Sequence, residues 1–161
     1  MPYTQLYYHI LWATKNREPV LTPDVEPQIH GFIRAKAIGL GAIVFALNGW
    51  TEHVHLVASI PAKLAVATFI GQVKAVATTK FNKSGHPGAP IFWQSEYAVF
   101  SLDKKRLPNH IAYVENQKRH HQDGDLISIL ERAEATPFPH IRENGVGYGK
   151  NIHLENVWTP E

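Results

Sequence analysis

The chain contains no cysteine, which excludes disulfide bonds and thiolate ligands, so any metal ion must be bound through nitrogen and oxygen atoms. It also lacks any apolar run that approaches the roughly 20 residues needed to span a bilayer. The N-terminal apolar stretch is not preceded by the basic segment of a signal peptide. The net charge of +2 permits nucleic-acid binding without arguing for it. We therefore expect a cytoplasmic protein whose 161 residues form one main domain.

Apolar periodicity predicts an α+β fold. Runs rich in branched and aromatic residues predict strands at residues 3–13, 42–50, 53–60 and 91–102. Helical spacing of apolar residues predicts helices at 23–39, 64–83 and 103–121, with a short helix at 126–134. The order β-α-β-β-α-β followed by a helix is that of a ferredoxin-like (RRM-like) fold, in which two helices cover one face of an antiparallel sheet. The other face must be covered by something else or be a working surface.

The stretch WTEHVHLVASI places two histidines on one face of the third predicted strand. Side chains alternate along a strand, so His53 and His55 share a face while Val54 points to the core. Two imidazoles spaced by about 6–7 Å of strand rise can bind one metal ion between them. The first strand lies beside the third in this fold, which puts His9 nearby. Alone, the pattern is also that of two surface histidines in a chain that has ten.

The third predicted helix carries Tyr113 and Gln117, which lie four residues apart and therefore on one helix face. An amide oxygen is a suitable ligand for Mg²⁺ or Mn²⁺, and a tyrosine hydroxyl beside such an ion can attack phosphorus. A phenol has an ordinary pKa of about 10 and needs activation. His9, His110 and His120 are candidates for handling its proton. The alternative is an amphipathic surface tyrosine with a solvated glutamine.

Taken together, these motifs resemble the small single-tyrosine HUH transposases of bacterial and archaeal insertion sequences, the TnpA type. The His-Val-His at 53–55 is similar to the His-hydrophobic-His motif, and AYVENQ is similar to the Tyr-x-x-x-Gln helix of that family. The stretches YHILWATKNREPVL, NGWTEHVHLVASIP and FWQSEYAVFSL extend the resemblance over about residues 3 to 122. We therefore predict an HUH transposase domain at residues 1–122 and a C-terminal extension of unknown role at residues 123–161.

The resemblance implies metal-dependent cleavage of single-stranded DNA followed by strand transfer. In that family the two histidines and the glutamine bind a divalent ion, which assigns His53, His55 and Gln117 to Mg²⁺ or Mn²⁺. The tyrosine, here Tyr113, forms a 5′-phosphotyrosine link and leaves a free 3′-OH. The DNA is typically an imperfect hairpin at each end of the element. Family members are homodimers in which the tyrosine helix of one subunit can complete the active site of the other, and no membrane is involved.

Basic residues outside these motifs are candidates for a phosphate-binding surface, although each alone is more typical of a solvated surface charge. They are Lys15, Arg17, Lys74, Lys80, Lys83, Lys104, Lys105, Arg106, Lys118 and Arg119. Trp93 and Tyr97 are candidates for stacking on unpaired bases, but aromatic residues in strands more often belong to the core.

Three alternative functions remain open. A domesticated relative would use the same residues on repetitive palindromes of the host, so only the flanking DNA would distinguish it. A non-catalytic, RRM-like binder of single strands would share the fold, but no stretch matches the RNP1 pattern of aromatic residues. A zinc hydrolase would need a third histidine or a carboxylate plus a glutamate base, and Glu52 is expected on the strand face opposite His53.

Overall fold

A four-stranded antiparallel sheet forms the centre of the fold. The computed structural model describes residues 2–133, so the predicted tail from residue 137 onward lies outside the described residues. The sheet order is β2-β3-β1-β4, with every neighbouring pair antiparallel and the first strand beside the third, as predicted. The strands are β1 (Tyr7–Ala13), β2 (Ile43–Trp50), β3 (His53–Ser59) and β4 (Ala98–Leu102).

Two helices, α1 (Glu26–Gly39) and α2 (Val66–Lys83), pack on one face of this sheet. Ile29 of α1 and Phe69 of α2 share one core with Trp12 of β1, and none of the three has exposed surface. Burying a side chain of this size stabilises the fold by about 1.5–3 kcal/mol. Within residues 2–133 no helix is long and apolar enough to cross a bilayer. The predicted ferredoxin-like arrangement is confirmed on this face.

A tight turn joins β2 to β3 and sets the position of the histidine pair at the start of β3. Trp50 pairs with His53 across the turn. A Cβ atom at Gly49 would lie 2.2 Å from the carbonyl oxygen of His53, so a larger residue requires the backbone to move. The backbone N–H and hydroxyl of Thr14 both donate to the carbonyl of Glu52, at 2.8 and 3.2 Å. The backbone that carries His53 is therefore held in place by the close approach of Gly49 on one side and by the hydrogen bonds of Thr14 on the other.

The second face of the sheet is covered by elements that follow β4. They are α3 (Leu107–Glu115), α4 (Gln117–Asp123) and a 3-10 turn (Ser128–Glu131). The predicted single helix at 103–121 is wrong, because the helix divides at Asn116, whose φ of −96° and ψ of 16° leave the helical region. Its side-chain amide donates to the carbonyl of Ala112 at 2.8 Å, a local bond of the kind that competes with regular helix. The histidine pair faces this layer and is buried by it.

The fourth strand is shorter than predicted, because residues 91–97 leave the sheet after one isolated bridge between Trp93 and Thr14. The carbonyls of residues 94–96 instead accept hydrogen bonds from the ammonium of Lys74 in α2, at 2.6, 3.5 and 3.2 Å. Burial lowers the pKa of Lys74, whose side chain is only 8% exposed. Lys74 therefore attaches this irregular segment to α2.

Candidate functional site

His53 and His55 are fully buried, and neighbours fix the orientation of both rings. Nδ1 of His53 lies 2.8 Å from Oε1 of Glu52, so its N–H donates to the carboxylate and Nε2 points inward. Nδ1 of His55 lies 2.8 Å from Nε2 of His9, and the opposite ring nitrogen, Nε2, is buried without a hydrogen-bond partner. Contacts of this kind on the outer nitrogen are typical of metal-binding histidines. Two Nε2 atoms thus face one small space.

Glu131, in the 3-10 turn after α4, closes that space. Its Oε2 lies 3.1 Å from Nε2 of His53 and 3.4 Å from Nε2 of His55. Gln117 lies beside it, with Oε1 3.3 Å from Nε2 of His53 and its amide donating to Oε1 of Glu131 at 3.2 Å. Nε2 of His121 lies 3.1 Å from Oε1 of Gln117. Imidazole, amide and carboxylate groups therefore converge on the same point.

The spacing of these atoms fits a divalent metal ion. Two ligands with bonds of about 2.1 Å stand about 3.0–3.4 Å apart in octahedral or tetrahedral geometry. The observed separations of 3.1, 3.4 and 3.3 Å lie in that range. Nε2 of His55 and Oε2 of Glu131 are buried without hydrogen-bond partners, and an ion at this point would satisfy both. His53, His55 and Glu131 form a group able to hold a metal ion.

Tyr113 belongs to the same cluster and is only 7% exposed. Its hydroxyl donates a hydrogen bond to Oε1 of Glu131 and accepts one from the backbone N–H of Ile127 at 3.2 Å. Its ring centroid is 6.0 Å from that of His55 and 4.7 Å from that of His120, on which it stacks. One carboxylate therefore contacts the phenol and both histidines of the pair.

Burial and Glu131 set the charges in this cluster. Burial disfavours a charged His53, but its close contacts with the carboxylates of Glu131 and Glu52 outweigh burial and raise the pKa of His53 to about 9. Burial lowers the pKa of His55 to about 4. Burial opposes ionisation of Glu131, yet its close contacts with the two histidines hold its pKa far below the ordinary value. Burial and the adjacent carboxylate raise the pKa of Tyr113 above its ordinary range, so the phenol needs a nearby cation to ionise.

The structure brings together Tyr113, His53, His55 and Gln117, the residues that the family resemblance assigned to an active site. Sequence reasoning missed Glu131, because this glutamate, in the short helix predicted at 126–134, which is a 3-10 turn in the structure, belongs to no motif and has no partner at a recognisable spacing. It also missed His121, the second of two adjacent histidines at 120 and 121.

The expectation for Glu52 was wrong. Its side chain contacts His53 and is not directed to the other sheet face, because Glu52 lies in the turn before β3, where strand alternation does not yet apply. The proton of Tyr113 is directed at Glu131 and not at His9, His110 or His120, the three candidates named from the sequence.

The predicted phosphate-binding residues differ in how far contacts within the fold already engage them. Three are engaged in the fold: Lys74 as described above, Lys118 with Glu26 at 2.7 Å, and Arg17 with the backbone carbonyl of Glu131 at 3.0 Å. Arg106 lies 4.0 Å from Asp103. The exposed ones are Lys15, Lys80, Lys83, Lys104, Lys105 and Arg119.

A groove of about 660 Å³ lies next to the cluster and combines basic with aromatic residues. Lys15, Arg17, Phe92 and Trp93 line it, and Phe92 is 57% exposed. The indole of Trp93 donates to the carbonyl of Lys74 at 3.0 Å and packs against Trp12, so this ring is partly used by the core. The other predicted stacking residue, Tyr97, is 36% exposed.

Known proteins match this chain over the region that carries the histidine pair, Tyr113 and Gln117. Residues 2–117 match the family model Y1_Tnp, described as IS200-like transposases. The ISDra2 transposase TnpA of Deinococcus radiodurans is 24% identical over an alignment of 119 positions, which covers 70% of this chain and 84% of that protein.

Two solved structures share the fold. A candidate transposase from Deinococcus radiodurans R1 aligns with a TM-score of 0.58 and 24% identity, over 73% of this chain and 95% of that one. A REP-associated tyrosine transposase bound to a REP hairpin aligns with a TM-score of 0.56 and 14% identity, over 78% and 76% of the two chains. The match over residues 2–117 confirms the resemblance seen in the sequence, and the chain belongs to the family of IS200-like transposases.

Proposed function

We propose that this transposase cleaves single-stranded DNA and transfers strands through a 5′-phosphotyrosine intermediate on Tyr113. The observation that carries the proposal is the position of Glu131, whose carboxylate contacts the hydroxyl of Tyr113 and both histidines of the pair. A nucleophile and a set of metal-binding atoms therefore share one buried cluster. That combination suits transesterification at a phosphate.

In the proposed step, Oη of Tyr113 attacks the scissile phosphorus as the P–O3′ bond breaks. The tyrosine becomes esterified to the 5′-phosphate, and the leaving oxygen takes up a proton to give a free 3′-OH. The phenol proton passes to an acceptor, and Oε1 of Glu131 already receives its hydrogen bond. The reverse attack by another 3′-OH would release Tyr113 and join new DNA ends, so the cycle needs no external energy.

We assign the metal site to His53, His55 and Glu131, with Gln117 as a further oxygen ligand. When bound, Mg²⁺ or Mn²⁺ would polarise the scissile phosphate and offset the charge that builds up on it. Glu52 and His9 orient the two imidazoles from behind. Glu131 comes from the proposed C-terminal extension that begins at residue 123, so this extension would complete the site that the transposase domain begins.

We propose hairpin-ended single-stranded DNA as the substrate, as the resemblance implies. A protein of the same fold binds a REP hairpin, which supports this substrate class. The groove lined by Lys15, Arg17 and Phe92 adjoins the cluster through Arg17, which contacts Glu131. It offers the exposed ammonium of Lys15 for phosphates and one exposed ring for an unpaired base. Lys80, Lys83 and Arg119 stay candidates for phosphate contacts. Lys74 and Lys118 are less suited, because their ammonium groups are already engaged.

Whether the natural substrate is the end of an insertion sequence or a host palindrome depends on the DNA around the gene. Paired hairpins flanking the gene favour transposition, whereas hairpins dispersed through the genome favour a domesticated role. Both use the same chemistry at Tyr113.

The homodimer with shared active sites also remains a proposal. Tyr113 lies beside His55 of its own chain, so sharing would require α3 to exchange between subunits. Mixing a Tyr113→Phe protein with a His53→Ala protein tests this, because exchange would rebuild one complete site from two inactive chains. Recovered activity supports sharing, and a mixture that stays inactive supports sites made within one chain.

The decisive experiment incubates the protein with labelled hairpin oligonucleotides and Mn²⁺ or Mg²⁺. We expect a covalent protein–DNA adduct that Tyr113→Phe abolishes and that the matched control Tyr3→Phe, at a tyrosine 84% exposed, retains. Adducts that survive Tyr113→Phe would overturn the nucleophile assignment. A wild-type protein that binds the hairpins but never cleaves them would favour the non-catalytic single-strand binder.

A further inference from the structure

Three histidines form a continuous hydrogen-bonded chain behind the proposed metal site. Nδ1 of His55 lies 2.8 Å from Nε2 of His9, and Nδ1 of His9 lies 2.8 Å from Nδ1 of His110. His9 is fully buried in β1 and contacts the ring of Phe100 edge-on at 6.3 Å. This row of hydrogen-bonded histidines runs from the proposed metal site to His110, which is partly exposed in the first half of α3.

Each link of this chain needs one N–H, and a neutral imidazole has only one. If Nε2 of His55 offers its lone pair to an ion, the N–H of His55 must be on Nδ1 and must donate to His9. His9 then accepts at Nε2 and donates from Nδ1, and His110 accepts at Nδ1 and carries its proton on Nε2. The orientation of one ligand therefore fixes the tautomers of all three rings.

A charged ring at His9 does not fit this position. The side chain has no solvent exposure, and both of its nitrogens face imidazoles. An imidazolium has donors on both nitrogens, so it would need two acceptors and would be buried away from water. The position of His9 therefore suits a ring with one N–H and one lone pair.

We infer that His9 and His110 are positioning residues for His55, holding it in the tautomer and ring orientation that bind the divalent ion. This inference rests on the proposed function, because the ion is part of it. His9 would thus orient His55 as Glu52 orients His53, where a carboxylate accepts the outer N–H of the ring. Neither His9 nor His110 would touch the ion or the DNA.

The test compares two substitutions at His9. Leucine removes the acceptor for the N–H of His55, whereas glutamine keeps a carbonyl oxygen that can accept it. Removing an outer partner of a metal ligand typically costs 10- to 100-fold in metal affinity. By isothermal titration calorimetry we expect His9→Leu to lose about 10- to 100-fold in Mn²⁺ affinity. We expect the Mn²⁺ affinity of His9→Gln to stay within about threefold of wild type. His30→Gln, at a largely buried histidine outside the cluster, is the matched control and should leave Mn²⁺ affinity unchanged.

A second measurement does not depend on any variant folding. Nitrogen-15 spectra of the histidine rings in wild-type protein loaded with Mg²⁺ should show N–H on Nδ1 of His55 and His9 and on Nε2 of His110. The opposite tautomers would overturn the inference.

The outcomes separate this inference from the proposed function. Wild-type protein that binds Mn²⁺ normally, together with a folded His9→Leu that binds it equally well, overturns the positioning role and leaves the metal site standing. Wild-type protein that binds neither Mn²⁺ nor Mg²⁺ overturns the proposed metal site, and the inference with it.

Discussion

Replacing Glu131 with glutamine tests whether its carboxylate is a metal ligand. The change preserves the length of the side chain and an oxygen that can accept the hydrogen bond of Tyr113, but it removes the negative charge. Oε2 of Glu131 lies 3.1 and 3.4 Å from the Nε2 atoms of His53 and His55, at the separation of two ligands of one ion. The substitution therefore changes the donor set with little change in shape.

The expected effect follows from simple electrostatics. A divalent cation and a carboxylate at about 2.1 Å attract each other by about 4 kcal/mol even with the dielectric constant of water. Much of this is offset, because the carboxylate gives up its present contacts with the histidines and His53 must release a proton before it can bind an ion. We therefore expect a 10- to 100-fold loss of Mn²⁺ affinity, equivalent to about 1.4–2.7 kcal/mol.

Isothermal titration calorimetry measures this loss of Mn²⁺ affinity directly. Glu115→Gln is the control, because it removes an exposed carboxylate from the neighbouring helix α3. A Glu131→Gln protein that binds Mn²⁺ as tightly as wild type would refute the ligand assignment. An equal loss in both variants would trace the effect to net charge and refute it as well.

Further predictions concern stability, measured by urea unfolding. Gly49→Ala should lower the free energy of unfolding by about 1–3 kcal/mol, because the new Cβ would lie 2.2 Å from the backbone of His53. Gly71→Ala in α2 should raise it by about 0.4–1 kcal/mol, because no atom lies within 4 Å of the new Cβ. Equal effects of the two substitutions would contradict this reasoning. Lys74→Met should lower the free energy of unfolding by about 1–3 kcal/mol by removing the ammonium donor shared by the carbonyls of residues 94–96, and an unchanged stability would show that water replaces it. Burial, then nearby cations, lowers the pKa of His30 to about 4. Since the unfolded chain then binds more protons, stability should fall as the pH drops from about 6.5 towards 4, and His30→Gln should reduce the loss between pH 7 and pH 5 by about 2 kcal/mol. A loss of the same size in both proteins would argue against a buried neutral His30.

The sequence was enough to predict the sheet because its signals are local. Alternation along β3 separated the histidine pair from the core-facing Val54, and helical spacing identified α1 and α2. The same local rules failed where long-range contacts decide the structure. Nothing near residues 94–96 shows that Lys74 will bind their carbonyls and keep them out of the sheet.

The candidate site shows the same division. Tyr113 and Gln117 were predicted because helical spacing and a family motif coincide, and the structure places both beside the histidine pair although the helix that joins them divides at Asn116. Glu131 could not be found, because its role depends on how the chain returns after α4, and that return is set by tertiary packing. The contact between Glu52 and His53 was missed for a related reason: the direction of a turn side chain depends on the turn and not on the strand pattern.

The location of Glu131 has a consequence for how such a site evolves. The match to the family ends at residue 117, whereas the carboxylate that faces the histidines stands at 131, on a separate short turn. Substitutions at Glu131 would change the charge beside the histidine pair and Tyr113 without altering the sheet or those residues themselves. Under the proposed function, selection could in this way alter which divalent ion is preferred and how firmly Tyr113 is held.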